Sequence, residues 1–237
     1  MGKGQLLSMA ARASAGALAL IGGQEFSESS LDLNRTLLAN SGASTVVLVT
    51  LAAAFENPDA VTRQATDHFA TLGATVETVP IANRHEANDA QAGRALKGSK
   101  LIYISDGSAM HLRSALKDTA LFDGLMAAHR AGATVAASGA GATVLSDPMI
   151  DPRGGAYTVG FALVEHLAAF THYTSDADHL WQRASELLPH DATLVGIPDS
   201  VALVRSPDAQ WSVAGGAVTA RRGTAQRSVP AGPITLW

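Results

Sequence analysis

The sequence contains no cysteine and few aromatic or charged residues. The absence of cysteine excludes a disulfide framework, a thiolate zinc site and a cysteine nucleophile. Charged residues make up only 16% of the chain, and 17 basic against 21 acidic residues give a formal net charge of -4. Since no basic stripe is present, the sequence does not indicate a nucleic-acid-binding protein.

Long hydrophobic runs are also missing, so no transmembrane helix and no membrane partner are expected. Residues 6–11 loosely resemble a signal peptide, but Arg12 interrupts them and residues 17–21 are more typical of a first core strand. We therefore expect a cytoplasmic protein. With 47% hydrophobic residues in 237, the chain can bury a core without cross-links.

Short apolar runs alternate with helix-length segments over the first 150 residues. Five runs are typical of strands: 17–21, 44–50, 74–80, 100–105 and 133–137. Residues 74–80 alternate more between apolar and polar side chains, and the other runs are apolar enough to be covered on both faces. Helical spacing occurs in residues 30–40, 58–72 and 119–131, each followed closely by glycine. This order predicts an α/β fold with a mainly parallel, doubly wound sheet between helices.

The pattern changes after about residue 150. Residues 160–173 are strand-like and 176–188 helical, and four short strands follow at 193–197, 200–205, 210–213 and 217–220. We interpret these as a short antiparallel C-terminal extension of one domain that spans residues 1–237. Within it, residues 17–220 form the core and residues 221–237 a polar tail of which only the last residues pack.

Polar and small residues follow the predicted strands at positions where α/β sheets bind ligands. The four strand ends are residues 22–25, 50–51, 105–108 and 138–141. Residues 135–142 (VAASGAGA) pass from a strand to a helix through small residues alone. Small residues are typical of the strained turn that carries the nucleophile in hydrolases, because larger neighbouring side chains would clash there.

Three segments in this order, LIGGQE (20–25), LIYISDGS (101–108) and VAASGAGA (135–142), resemble the cyanophycinase and dipeptidase E group of serine peptidases, family S51. The resemblance continues through residues 160–164, 171–173, 196–203 and 213–218. It implies a class I glutamine amidotransferase-like fold, a serine peptidase site without cofactor or metal, a small peptide-like ligand and a homodimer.

The nucleophile position departs from the family pattern, Gly-Thr-Ser-Ala-Gly-Ala. Ungapped alignment places Gly139 at the nucleophilic serine, and glycine cannot attack a carbonyl. Ser138 lies one position earlier. If the turn shifted by one residue, Ala136 and Ala140 would flank Ser138 and satisfy the requirement for small neighbours. We favour the simpler interpretation that residues 138–141 form a tight strand-to-helix turn with close backbone packing and no catalytic role.

The second family motif, Gly-Gly-Asp/Asn-Gln, is altered as well. This chain has Asp106, Gly107, Ser108 and Ala109 there, so alanine stands at the glutamine position. Backbone amides near Gly107 and at Ala140 are expected to hold an oxyanion. The negative charge of Asp106 would oppose that oxyanion.

His172 stands where the family has its catalytic histidine. An acid must orient that imidazole, and Asp147 or Asp151 could supply it, Asp147 in the manner of dipeptidase E. The basic residues that follow the histidine in cyanophycinase are replaced by Asp176 and Asp178. A pocket for an aspartyl carboxylate would thus lose its counter-charge.

Two cofactor hypotheses are disfavoured. Gly139-x-Gly141 could begin a dinucleotide-binding loop, but Val144 stands in place of the third glycine. Acidic and histidine side chains are also common at a solvated helix start, which disfavours a metal cluster; the candidates for it are His166, His172, Asp176, Asp178 and His179.

The favoured hypothesis is therefore a catalytically degenerate S51 homologue, because Gly139, Ala109 and the lost basic residues all oppose peptidase chemistry. The alternative is an active serine hydrolase in which Ser138 attacks an amide or ester, His172 takes the proton and Asp147 orients the imidazole.

Overall fold

The computed structural model describes residues 15–175 and 178–235. The signal-like segment at residues 6–11, the acid Asp176 and the last two residues of the chain lie outside these ranges. Within the described part, no helix combines the length and the apolar character needed to cross a membrane.

Across the described residues, the main sheet has eight strands, of which five consecutive ones, from the middle of the sheet to one edge, are parallel. They are β1 (Leu18–Ile21), β2 (Thr45–Val49), β3 (Thr75–Val79), β4 (Leu101–Ile104) and β5 (Thr134–Ser138). Their spatial order is β1-β5-β4-β2-β3, and each hydrogen-bonded pair among them is parallel. The predicted doubly wound α/β fold is confirmed, and the five predicted strands appear within about a residue at each end.

Helices cover both faces of this sheet. They are α1 (Leu31–Ser41), α2 (Pro58–Thr71), α3 (Arg84–Ala87), α4 (Ala90–Ala95), α5 (Ala109–Leu116), α6 (Ala120–Arg130) and α7 (Ala140–Leu145). A further helix, α8 (His179–Glu186), packs instead against strands of the C-terminal part. The predicted helices at 30–40, 58–72 and 119–131 correspond to α1, α2 and α6. The short helices between residues 84 and 116 had no counterpart in the sequence prediction.

Alternating side chains of the central strands explain the two-sided core. Leu20, Ile102 and Val135 belong to one buried cluster with side chains of α5 and α6. Their chain neighbours Ala19, Tyr103 and Ala136 belong to a second buried cluster, with side chains of α1 and α2. Because successive strand residues point to opposite faces, continuous apolar runs are required here.

The C-terminal part builds a second sheet and completes the main one. The strands that follow β5 are β6 (Ser146–Asp147), β7 (Met149–Ile150), β8 (Tyr157–Thr158), β9 (Val164–Glu165), β10 (Leu167–Phe170), β11 (Thr193–Gly196), β12 (Ala202–Arg205), β13 (Trp211–Ala214), β14 (Val218–Arg222), β15 (Ala225–Val229) and β16 (Gly232–Ile234). The second sheet has the order β15-β14-β11-β10-β6-β9, and β7 pairs with β8 in a separate hairpin. β12, β13 and β16 extend the main sheet antiparallel beyond β1.

Two predictions for this part were wrong. Residues 160–173 are not one strand, since His166 has a positive φ of 60° and separates β9 from β10. The expectation that only the last residues of the polar tail pack was also wrong. Residues 225–229 pair along their length with β14, and β16 pairs with β13. The backbone ladder holds these strands in place although most of their side chains face solvent.

Candidate functional site

Three neighbouring strand ends form the candidate site. β1, β5 and β4 are adjacent and parallel, so their carboxyl ends open on the same edge of the sheet. The chain there continues into residues 22–25, 139–141 and 105–108. This is the position at which α/β sheets place their ligands.

Gly139 makes the sharp turn between β5 and α7. Its φ of 47° and ψ of -108° lie in a region that residues with a side chain rarely adopt. A Cβ built on Gly139 would overlap both Oδ1 and Cγ of Asp106. The carboxylate of Asp106 therefore fills the space that a side chain at this turn would occupy.

Two backbone amides hold one oxygen of that carboxylate. Gly107 N and Ala140 N each donate to Asp106 Oδ1 over 2.7 Å. These are the two regions of backbone that the sequence predicted to hold an oxyanion. In this structure they bind the carboxylate of Asp106 instead. Asp106 therefore occupies the position in which an oxyanion would bind.

His172 faces the other oxygen. Its backbone N–H donates to Gly22 O over 2.8 Å, and its φ is 53°. Nε2 lies 2.8 Å from Asp106 Oδ2, and Nδ1 lies 2.8 Å from Asp199 Oδ1. Because ionised carboxylates only accept hydrogen bonds, this arrangement requires a proton on both ring nitrogens.

The electrostatics agree with a protonated imidazole. The hydrogen bond to Asp106 and the charges of Asp106 and Asp199 outweigh burial and raise the pKa of His172 to about 9. Burial would raise the pKa of Asp106, but hydrogen bonds from His172 and Ala140 lower it below its ordinary value. At neutral pH the site therefore holds an imidazolium between two carboxylates.

Ser138 takes no part in this arrangement. It is the last residue of β5, is fully buried, and donates its Oγ–H to Glu25 Oε2 over 2.9 Å. The other oxygen of Glu25 accepts Asp106 N–H over 2.9 Å. Burial raises the pKa of Glu25 above its ordinary value. Ser138 and Glu25 thus tie the three strand ends together beneath the cleft.

The structure gives Asp147 and Asp151 other partners. Asp147 Oδ1 accepts Gly160 N–H over 2.8 Å, and Asp151 pairs with Arg153 in an exposed loop, which lowers the pKa of Asp151 to about 2. The expectation that either acid orients His172 is corrected, since Asp199 holds that position. The one-residue shift of the turn that the Ser138 alternative requires is not observed, because Gly139 makes the turn.

Ala109 begins α5 and is buried, so it presents no polar group at the position of the family glutamine. Asp178, one of the two acids expected to replace basic residues, caps α8 by accepting Leu180 N–H over 2.7 Å. His166 lies 3.2 Å from Asp191, away from the site. Among the described residues, no group of three or more His, Asp or Glu side chains is arranged to bind a metal.

Sequence reasoning missed Asp199 and the role of Gly23. Asp199 lies in a Pro-Asp pair, which is common in turns without any catalytic role. Gly23, with a φ of 149°, lies so close to the imidazole that a Cβ would overlap His172 Cε1 and Asp199 Oδ1. The second glycine of the IGGQE motif was the available signal, since it permits this close approach.

The cleft above these groups has a volume of about 490 Å³, within the range of small-molecule sites. Phe26, Ala53 and Val61 provide apolar walls. Three carboxyl groups also line the cleft, those of Glu25, Glu56 and Asp106. No Lys or Arg of the described chain lines it. The cleft therefore suits ligands without negative charge.

Comparisons with known proteins agree with this fold. The model of peptidase family S51 matches residues 18–210. Cyanophycinases of Trichormus variabilis and of a Nostoc species are each 26% identical over 151 residues, which is 63% of this chain and 51% of theirs. The chain thus spans about half the length of the curated relatives it matches.

Two solved structures have similar folds. A peptidase from an acI-B1 Actinobacterium is 25% identical, with a TM-score of 0.83 over 94% of this chain and 97% of that one. A protein of Listeria monocytogenes EGD-e assigned to peptidase E is 17% identical, with a TM-score of 0.61 over 92% of this chain and 100% of that one.

Proposed function

This chain belongs to peptidase family S51, and we propose that it is a member without serine peptidase activity. One observation carries the proposal: the carboxylate of Asp106 occupies the space of a side chain at Gly139 and accepts both nearby amide N–H groups. A serine peptidase needs a hydroxyl at that turn and free donors for the oxyanion. Here neither is present.

The state of His172 supports the same conclusion. A serine peptidase requires a neutral imidazole that can accept a proton from the nucleophile. His172 instead lies between two carboxylates that favour its charged form. An imidazolium held in this way donates protons and cannot act as the initial base.

The alternative through Ser138 is not favoured. Its hydroxyl is buried and bonded to Glu25, and both ring nitrogens of His172 face carboxylates rather than Ser138. We propose that the cleft binds a small ligand, neutral or positively charged. The homodimer and the cytoplasmic location remain predictions of the sequence.

A paired activity and labelling experiment tests the proposal. Wild-type protein is treated with a fluorophosphonate probe and assayed on cyanophycin and aspartyl dipeptides. We expect no adduct and no hydrolysis, because Gly139 supplies no hydroxyl at the turn and the hydroxyl of Ser138 is buried against Glu25. Labelling or cleavage that disappears in Ser138→Ala would contradict the proposal.

The matched control restores the expected family residues at both altered positions. Gly139→Ser alone should stay unlabelled, because its side chain would overlap Asp106. Asp106→Gly combined with Gly139→Ser clears that space and frees both amides, so the double variant should be labelled at the introduced hydroxyl while each single variant is not. A folded double variant without labelling would show that these two exchanges do not account for the missing nucleophile.

A further inference from the structure

The two oxygens of the Asp106 carboxylate have different surroundings. Oδ1 accepts two backbone N–H groups, from Gly107 and Ala140, each over 2.7 Å. Oδ2 has His172 Nε2 at 2.8 Å, and the residue lines the cleft. The side chain is 27% exposed, so a small molecule in the cleft can reach it.

This asymmetry has a chemical meaning. A carboxylate that only neutralises an imidazolium has no need of two amide donors on its other oxygen. If Oδ2 formed an ester, water could attack Cγ, and the negative charge of the tetrahedral intermediate would develop on Oδ1. Two amides already point at that atom, as an oxyanion site requires.

We propose that Asp106 is the nucleophile of an epoxide hydrolase, with His172 as proton donor and then base and Asp199 as the acid that orients it. The inference goes beyond the proposed loss of serine peptidase activity and rests on the same placement of Asp106 at the turn. A carboxylate from the end of β4 would then act where the turn after β5 lacks a side chain.

The first step opens the ring. A lone pair of Asp106 Oδ2 forms a bond to one ring carbon, and the bond between that carbon and the ring oxygen breaks. The ring oxygen takes the electron pair and accepts the proton from His172 Nε2. The products are a hydroxyalkyl ester of Asp106 and a neutral imidazole, so charge and protons balance.

The second step hydrolyses the ester. Neutral His172 accepts a proton from water, and the water oxygen bonds to Cγ while Oδ1 becomes an oxyanion held by Gly107 and Ala140. Collapse breaks the bond between Cγ and Oδ2, and the departing oxygen takes the proton from His172. The new carboxylic acid then protonates Nε2, which restores the ion pair and releases a diol.

The lining of the cleft selects the substrate class. Glu56 and Asp106 repel anions, and no Lys or Arg of the described residues lines the cleft to bind one. Phe26 and Val61 provide apolar contact for a substituent on the ring. An epoxide also requires a proton at its leaving oxygen, and His172 carries one beside the attacking atom. Neutral epoxides with a small apolar substituent match these features.

A single-turnover experiment in water enriched in oxygen-18 tests the proposal. Excess wild-type protein is mixed with styrene oxide or cyclohexene oxide, and both the diol and the peptide that contains Asp106 are analysed by mass spectrometry. Attack by Asp106 places the heavy oxygen in the carboxylate and leaves the first-turnover diol unlabelled. The proposal predicts this distribution for at least one of the two epoxides.

Two variants make the outcome specific. His172→Gln is treated with benzyl bromide, whose bromide leaves without a proton; a stable benzyl ester should accumulate on Asp106, because loss of the base slows hydrolysis by about 100-fold or more. Asp106→Asn should give neither ester nor diol.

The proposal is overturned if the heavy oxygen appears in the diol instead of in Asp106. It is also overturned if neither epoxide is opened by the wild-type protein and no ester forms on Asp106 in folded His172→Gln. Either result leaves the proposed absence of peptidase activity untouched, because that proposal is tested with the fluorophosphonate probe and peptides.

Discussion

The turn after β5 and the segment after β10 contribute to the same site, but in different ways. The first turn has a glycine, Gly139, in a conformation that residues with a side chain rarely adopt, and it contributes only backbone to the site. The second places a histidine at a φ of 53° and holds its ring between two acids. The turn after β5 thus contributes a sharp change of backbone direction without a side chain. The segment after β10 contributes a functional side chain on a strained backbone.

The difference shows that the site is assembled from several strand ends rather than from one motif. Asp106 comes from the end of β4, yet its carboxylate lies where a residue after β5 would place its side chain. Adjacent parallel strands lie only about 4.8 Å apart, so a neighbouring strand can fill a position left empty by a glycine. Gly139 and Asp106 are therefore a structurally coupled pair.

The largest expected effect tests this coupling. Gly139→Ala should lower the free energy of unfolding by about 4 kcal/mol, since the new Cβ adds overlap with Asp106 to an unfavourable φ. In an Asp106→Gly background the same change should lower the free energy of unfolding by only about 2 kcal/mol, because the unfavourable φ remains but the overlap is gone. Urea unfolding of the wild type, both single variants and the double variant gives the coupling energy.

Additive effects in that cycle would contradict the coupling. They would mean that Asp106 can move away from Gly139 without a cost in stability. The turn after β5 would then not depend on the absence of a side chain.

The histidine side of the site has its own required glycine. Gly23→Ala should destabilise the protein by about 3 kcal/mol, because a Cβ there would overlap the imidazole of His172 and Oδ1 of Asp199. Gly73→Ala is the matched control: it also has a positive φ, of 76°, but nothing lies within 4 Å of the new Cβ. We expect a cost of about 1 kcal/mol there, from φ alone.

Thermal unfolding and the NMR titration of His172 measure the result. Equal costs for the two glycine variants, with an unchanged His172 pKa, would show that the imidazole is not packed against Gly23.

Much of the fold could be predicted from the sequence because buried strands and helix faces require apolar residues at regular positions. The central strands are apolar on both faces, as in residues 101–104, and this pattern is typical of a sheet that helices cover on both sides. β15 left no such trace. Its side chains are exposed except for Val229, and it exists as a strand through its backbone pairing with β14.

The site was predicted in part for a similar reason. His172, Gly139 and Asp106 could be located by their positions relative to motifs. Ser138 was a candidate because sequence does not show which strand-end residue faces the core; its burial and its bond to Glu25 settle that. Asp199 was missed because it meets His172 only through the tertiary fold, 27 positions along the chain.

The smallest expected effect concerns pH. The folded-state pKa of His172 is raised from 6.5 to about 9, so its ion pairs stabilise the protein fully below pH 6.5 and lose this contribution as the pH rises through 9. The lowered pKa of Asp106 adds stability that is present above its unfolded value of 3.8 and is lost on further acidification. The stability advantage of wild type over His172→Gln should therefore be greatest between these two ordinary values and shrink towards pH 9.

The acids near and far from His172 provide the control. Asp199→Asn should lower the pKa of His172, because it removes one carboxylate while the hydrogen bond to Asp106 remains. Asp147→Asn should leave that pKa unchanged, since the Asp147 side chain accepts Gly160 N–H elsewhere. Histidine titration by NMR distinguishes the two variants, and an equal response to both would show that Asp199 does not orient His172.

The pH prediction has its own contradicting outcome. A stability difference between wild type and His172→Gln that stayed constant from pH 6 to 9 would show that the imidazole carries no raised pKa in the folded protein.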